Sequence, residues 1–190
     1  MRSTLFITAA AFAMLAGCNQ AGDDEALGNT AANSNQVLPI TDADAAAANA
    51  TTATLPTEPV AKDRAAAFQH ERHEKYEAMG DAMKAAGRQL KSDSPDLAVV
   101  RKNAGIINAF APQIPSLFPP GTGPDAGKTD AKAEIWQKPD DFLAKSRDFT
   151  AAARAFNAAA QGSDLAAIRA AHGAMAKTCK ACHDLYREEH

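Results

Sequence analysis

Close to its C-terminus the chain reads Cys179-Lys180-Ala181-Cys182-His183. Side chains three residues apart share one side of a helix, so both thiols can meet one partner, and the imidazole that follows adds a nitrogen donor. A Cys-x-x-Cys-His run is the attachment signature of a c-type haem. The thiols add to the two vinyl groups on one porphyrin edge, and the histidine is directed at the iron. The spacing therefore predicts one covalent haem c held by Cys179 and Cys182, with His183 as the iron ligand. Two other chemistries use close cysteine pairs. A thioredoxin-like redox pair wants a strand before it and a helix start at its first cysteine, whereas this pair falls late in a helical pattern. Zinc needs a fourth ligand in tetrahedral geometry, and only His190 at the terminus or the distant His70 and His73 are on offer.

The third cysteine, Cys18, stands alone, and an odd count distributed in this way does not suit a disulfide framework. Met1-Arg2 makes a short positive start, Leu5 to Ala16 is almost uninterrupted apolar sequence, and the stretch closes Leu15-Ala16-Gly17-Cys18. That ending resembles the bacterial lipobox. Residues 1–17 then read as a lipoprotein signal peptide, and the acyl chains on Cys18 as a membrane anchor. Export agrees with the haem motif, because covalent haem attachment takes place outside the bacterial inner membrane. The expected location is the periplasmic side of a membrane, with Asn19 leaning towards the outer one.

Composition divides the remainder. Residues 19–60 carry 6 acidic residues and no basic one, and residues 19–61 contain no aromatic. Residues 18–62 are read as the lipidated cysteine followed by a disordered acidic tether, whose reach is on the order of 35 Å. Residues 61–190 carry 19 Lys/Arg against 17 Asp/Glu. Neither part has the basic stripe that nucleic-acid binding requires, so nucleic acid is excluded as a partner.

From residue 63 onward the apolar pattern is helical. Phe68, Arg72, Tyr76, Met79, Met83 and Leu90 keep to one stripe and predict a helix over about 63–90. Ser94-Pro95-Asp96 reads as an N-cap, a first-position proline and a first-turn acid, opening a second helix through Leu97, Val100, Ala104, Ile107 and Phe110 or Ala111. The prolines and glycines between Pro112 and Gly127 make further helix implausible there, so about 112–138 is a crossover loop. Its Ile114, Leu117, Phe118, Ile135 and Trp136 should pack on the bundle. A third helix starts near Pro139 with Phe142, Phe149 and Phe156, and ends at Gly162. Ser163-Asp164 caps a fourth, which carries Leu165, Ile168, His172, Met175, Cys179, Cys182 and Tyr186 on one stripe. Four amphipathic helices without strands predict an all-α, antiparallel four-helix bundle over residues 63–190.

A haem motif on the last helix of such a bundle resembles the cytochrome c′ family, and the resemblance spans about residues 66–190. Arg72-x-x-x-Tyr76-x-x-Met79-Gly80 is similar to the family's first-helix pattern, and Glu134-Ile135-Trp136 with Phe142 to its loop-to-helix junction. Gly162-Ser163-Asp164-Leu165 and Cys179 through Arg187 are similar to the start and end of its last helix. The leader and the acidic tether depart from it. The resemblance implies that the fourth residue after the first-helix arginine, Tyr76, faces the distal side of the iron. Methionine there makes a six-coordinate electron carrier, whereas tyrosine leaves the position vacant. The expectation is a five-coordinate, high-spin iron that binds NO or CO, transfers single electrons with periplasmic redox partners, or does both. Arg72 and Met79 lie beside the haem in this reading, and Arg187 near its proximal face. Homodimers through the first two helices are common in the family. Two alternatives stand beside this reading: a six-coordinate His/Met carrier using Met79 or Met83, and a non-haem helical binding lipoprotein. His172 shares the stripe of His183, but 11 residues separate them, roughly 16 Å along the axis, so it cannot ligate the same iron. No paired distal His and Arg and no catalytic carboxylate pair is visible, which argues against an enzyme.

Overall fold

The computed structural model describes residues 53–189. The leader, Cys18 and the tether as far as residue 52 lie outside the described residues, as does His190. The elements are α1 (Ala65–Lys91), α2 (Leu97–Phe110), the one-turn α3 (Glu134–Gln137), α4 (Pro139–Gln161) and α5 (Leu165–Tyr186). Short 3-10 turns cover Lys62–Arg64, Ala111–Leu117 and Pro124–Ala126. Among the described residues the β content is one isolated antiparallel bridge, Ala131 to Arg187.

Aspartates start two of the helices. Asp96 Oδ1 accepts the N–H of Ala98 at 2.8 Å and of Val99 at 3.3 Å, and Asp164 Oδ1 does the same for Ala166 and Ala167 at 2.9 and 3.1 Å. The predicted Ser94 cap is thus displaced by two residues. Gln89 Oε1 accepts the Asp96 N–H at 2.9 Å, which holds the connector so that the aspartate, in extended backbone, reaches the free donors of the first turn. Gly162 closes α4 with φ −83°, not in the left-handed conformation. Pro139 occupies the first position of α4 as expected.

Two arginines fix the helix directions. Arg101, near the start of α2, donates from Nε to Ala160 O at 3.2 Å, at the end of α4. Arg169, near the start of α5, donates to Leu90 O at 2.8 Å and Ser92 O at 3.2 Å, at the end of α1. Each N-terminus therefore lies beside its neighbour's C-terminus, and the guanidinium satisfies last-turn carbonyls that lack a helical donor. The bundle is antiparallel. Its core contains Phe142, Phe149 and Phe156 of α4 with Val100, Ala104 and Ile107 of α2 and Ile168 and Met175 of α5.

The crossover differs from its sequence reading. Ala111–Leu117 is a 3-10 helix containing Pro112 and Pro115, because a short, first-turn-like segment does not need the donors that proline lacks. Ile114, Leu117, Phe118 and Ile135 are buried as expected, and Trp136 is packed against the core. The last residues of the expected tether are also structured: Leu55 packs against the core cluster, and the Val60 N–H donates to Pro120 O at 2.9 Å.

Candidate haem site

Helix α5 carries Ile168, Met175 and Tyr186 into the core, and Cys179 and Cys182 at the half-buried edge of the same face. Both cysteines are free thiols. Burial raises the Cys179 pKa; burial and then the neighbouring Cys179 push Cys182 up to about 11, with Lys145 of α4 opposing and Asp141 reinforcing the rise. The C-terminal end of α5 is held firmly. Tyr186 lies edge-on to Phe142 at 5.3 Å and donates its hydroxyl to Asp141 Oδ2 at 2.5 Å. Beyond it, Tyr186 O accepts the Lys132 N–H at 3.0 Å and Glu188 donates to Asp130 O at 2.8 Å.

His183 is half-buried and opens onto a surface groove of about 370 Å³ lined also by Asp184, Arg187, Glu188 and Glu189. Burial, followed by the charge of Arg187, lowers its pKa, while Asp184 opposes. Arg187 is exposed, and its Nη2 pairs with Asp130 at 3.8 Å. Its charge also reaches the His183 imidazole.

Across from the cysteines stands α1. Tyr76 is half-buried, edge-on to Phe110 at 5.2 Å and to Phe118 at 6.2 Å. Its hydroxyl pKa is raised, first by burial and then by Cys182, with Arg72 opposing and Cys179 adding to the rise. Tyr76 therefore lies within electrostatic range of both thiols and remains a neutral phenol. Met79, one turn further, is buried in the core, and Met83 packs partly against it.

Arg72 is turned towards the crossover. Nη1 donates to Leu117 O at 3.2 Å and Thr122 Oγ1 at 3.1 Å, and Nη2 to Thr122 O at 3.0 Å and Thr129 Oγ1 at 2.8 Å. Its guanidinium lies 4.7 Å from the centre of the Phe118 ring, and burial lowers its pKa to about 10. Buried Gln69, one turn earlier, donates Nε2 to Thr122 O at 3.2 Å and Gly123 O at 2.8 Å. Trp136 Nε1 donates to Phe118 O at 3.1 Å and Pro119 O at 3.2 Å. These three residues hold the loop whose Phe118 walls Tyr76. Gln69, Thr122, Lys145 and Asp141 were not singled out from sequence. Gln69 could have been, since it lies three residues before Arg72 on the same helical face.

The donor set suits a covalently attached haem. Helix packing runs from α1 to α2, α2 to α4 and α4 to α5, while α1 and α5 meet only sparingly. Tyr76 on α1 and the two thiols on α5 lie within electrostatic range of one another, and His183 follows Cys182 directly. The site thus combines two half-buried thiols, a phenol ring backed by Phe110 and Phe118, and an adjacent half-buried imidazole.

The family model for Cytochrome C′ matches residues 67–187. Cytochrome c′ of Pararhodospirillum photometricum is 38% identical over 122 residues, covering 64% of this chain and 97% of that protein. Cytochrome c′ of Thermochromatium tepidum superimposes with a TM-score of 0.61 at 29% identity, over 70% of this chain and 100% of the other. Variants of the Alcaligenes xylosoxidans protein, one a nitric oxide complex and one with carbon monoxide bound, each give a TM-score of 0.58 at 29% identity with the same coverage. The four-helix bundle is the architecture these proteins share with the chain. The chain belongs to the cytochrome c′ family, and membership implies covalently bound haem c with its iron.

Proposed function

We propose that this chain is a lipid-anchored, periplasm-facing monohaem cytochrome, not an enzyme, that keeps one axial iron position open for NO or CO and exchanges single electrons with periplasmic redox partners. The observation that carries this reading is Tyr76 at the α1–α5 seam, within electrostatic range of Cys182 and Cys179, where a six-coordinate carrier would present a methionine. Cys179 and Cys182 would hold the porphyrin edge and His183 the iron. Haem bound in this way supplies a one-electron couple and, with one axial position free, a site for diatomic gases.

The chain's own residues set the selectivity. The Tyr76 ring, backed by Phe110 and Phe118, presents an apolar wall that excludes charged ligands and water from the seam. Arg72 and Gln69 spend their donors on the crossover, so the Arg72 guanidinium is not free to recruit an anion. The nitric oxide and carbon monoxide complexes of similar bundles support small uncharged ligands here. A solved cytochrome c′ described as having ligand-controlled dimer dissociation, TM-score 0.62 at 27% identity, supports self-association as part of the same reading. The anchor on Cys18 would keep the bundle near a membrane.

Covalent attachment is tested by acid-acetone extraction and intact mass of the full chain, made in a host with a haem-attachment system. Haem should stay with the protein and add one haem mass. Cys179→Ser with Cys182→Ser should release it. Colour passing into the acetone from the unsubstituted chain would overturn the reading.

A further inference from the structure

The segment ahead of the bundle lies outside the family match, which begins at residue 67. Leu55 packs against the core cluster. Five residues on, the Val60 N–H donates to Pro120 O at 2.9 Å. At Gly121 the backbone takes φ +78°, and a Cβ added there would lie 3.0 Å from Val60 O, so the close approach of the two strands of chain requires glycine. The segment thus lies along the outside of the loop that Gln69, Arg72 and Trp136 grip from within. Thr122 Oγ1 ties that loop to Pro119 O at 2.8 Å. Phe118, in the same loop, faces Tyr76 at 6.2 Å and Phe142 at 4.9 Å.

We propose that residues 55–60 act as a strap that positions the Phe118–Tyr76 wall and thereby sets how fast small gases enter the haem seam. Leu55 and Val60 are positioning residues: they touch the loop and core, not the ligand. The loop is gripped on both sides, so releasing the outer side lets Phe118 retreat and frees the Tyr76 ring to swing. The inference rests on the gas-binding reading above.

The test is CO association to the reduced, full-length haem protein, followed by flash photolysis. Val60→Pro removes the donor to Pro120, and Leu55→Ala removes the apolar anchor. Each should raise the association rate about fivefold, the effect of one hydrogen bond or small contact on a local opening equilibrium. Glu58→Ala, an exposed position in the same segment, should leave the rate unchanged. In a Tyr76→Ala background the strap substitutions should add nothing, because the ring that Phe118 holds in place is gone; a purely structural role would not produce that dependence. Parent-like rates in both strap variants would overturn the strap while leaving gas binding intact, and so would an equal acceleration with and without Tyr76. A parent protein that takes up no CO would overturn the underlying reading instead.

Discussion

Replacing Arg72 by leucine probes how the distal wall is built. The guanidinium gives four hydrogen bonds of 2.8–3.2 Å to Leu117 O, Thr122 Oγ1, Thr122 O and Thr129 Oγ1, and it lies over the Phe118 ring. Charged hydrogen bonds contribute about 1.5–3 kcal/mol each, so the gross loss is about 6 kcal/mol or more. Against it stands desolvation: burial lowers the Arg72 pKa from 12.5 to about 10, which corresponds to about 3 kcal/mol of opposed charging. Thr122 O keeps its bond from Gln69, whereas Leu117 O is left without a donor. The net expectation is a loss of about 3 kcal/mol. Guanidinium-induced unfolding of the full haem protein, followed by far-ultraviolet circular dichroism, measures it. Arg72→Lys should recover less than half, since an ammonium cannot span acceptors set around a planar fork. A loss below about 1 kcal/mol, or full recovery by lysine, would refute the reasoning.

Other substitutions separate local from packing effects. Gly80→Ala and Gly173→Ala meet nothing within 4 Å and should each stabilise by about 0.5–1 kcal/mol through helix propensity, whereas Gly121→Ala should destabilise, because φ +78° and the Val60 carbonyl both oppose a side chain; thermal melts report the opposite signs. Asp164→Ala should remove about 1 kcal/mol by leaving the first-turn donors of α5 uncapped, read as a lower melting temperature. His172, edge-on to Phe156 at 5.3 Å with Nε2 buried and unpartnered, has its pKa lowered from 6.5 by burial, opposed by the Met83 carbonyl and aided by Lys91. The unfolded chain therefore takes the proton first, and the stability present above pH 6.5 is lost as pH falls towards the folded-state value. Urea midpoints at pH 7.5 and 5.0 should show a larger drop for the parent than for His172→Phe, and equal drops would count against a neutral, buried imidazole.

Much of this arrangement was legible as periodicity and motif. Phe142, Phe149 and Phe156 recur at helical spacing because a buried stripe demands it, and all three are buried. Cys179, Cys182 and His183 stood out because their spacing is the one that thioether attachment of a haem needs. Less legible was what depends on long-range contacts. Gln69 and Arg72 are polar residues on an apolar stripe, and only the carbonyls of residues 117 and 122–123, about 50 positions away, explain their burial. The register of the second-helix cap turned on Gln89 bonding Asp96 across a connector. The docked end of the tether escaped notice because its composition is that of a linker, and its hold comes from Leu55 and one backbone hydrogen bond to Pro120.

The vacant axial position is the claim on which the function turns, and electron paramagnetic resonance with absorption spectroscopy on the ferric, full-length haem protein tests it directly. With Tyr76 over the seam and Met79 buried in the core, the expected spectrum is high-spin, and the reduced form should take up CO without displacing a protein ligand. A low-spin ferric spectrum with a methionine-to-iron charge-transfer band, lost on replacing Met79 or Met83, would contradict it.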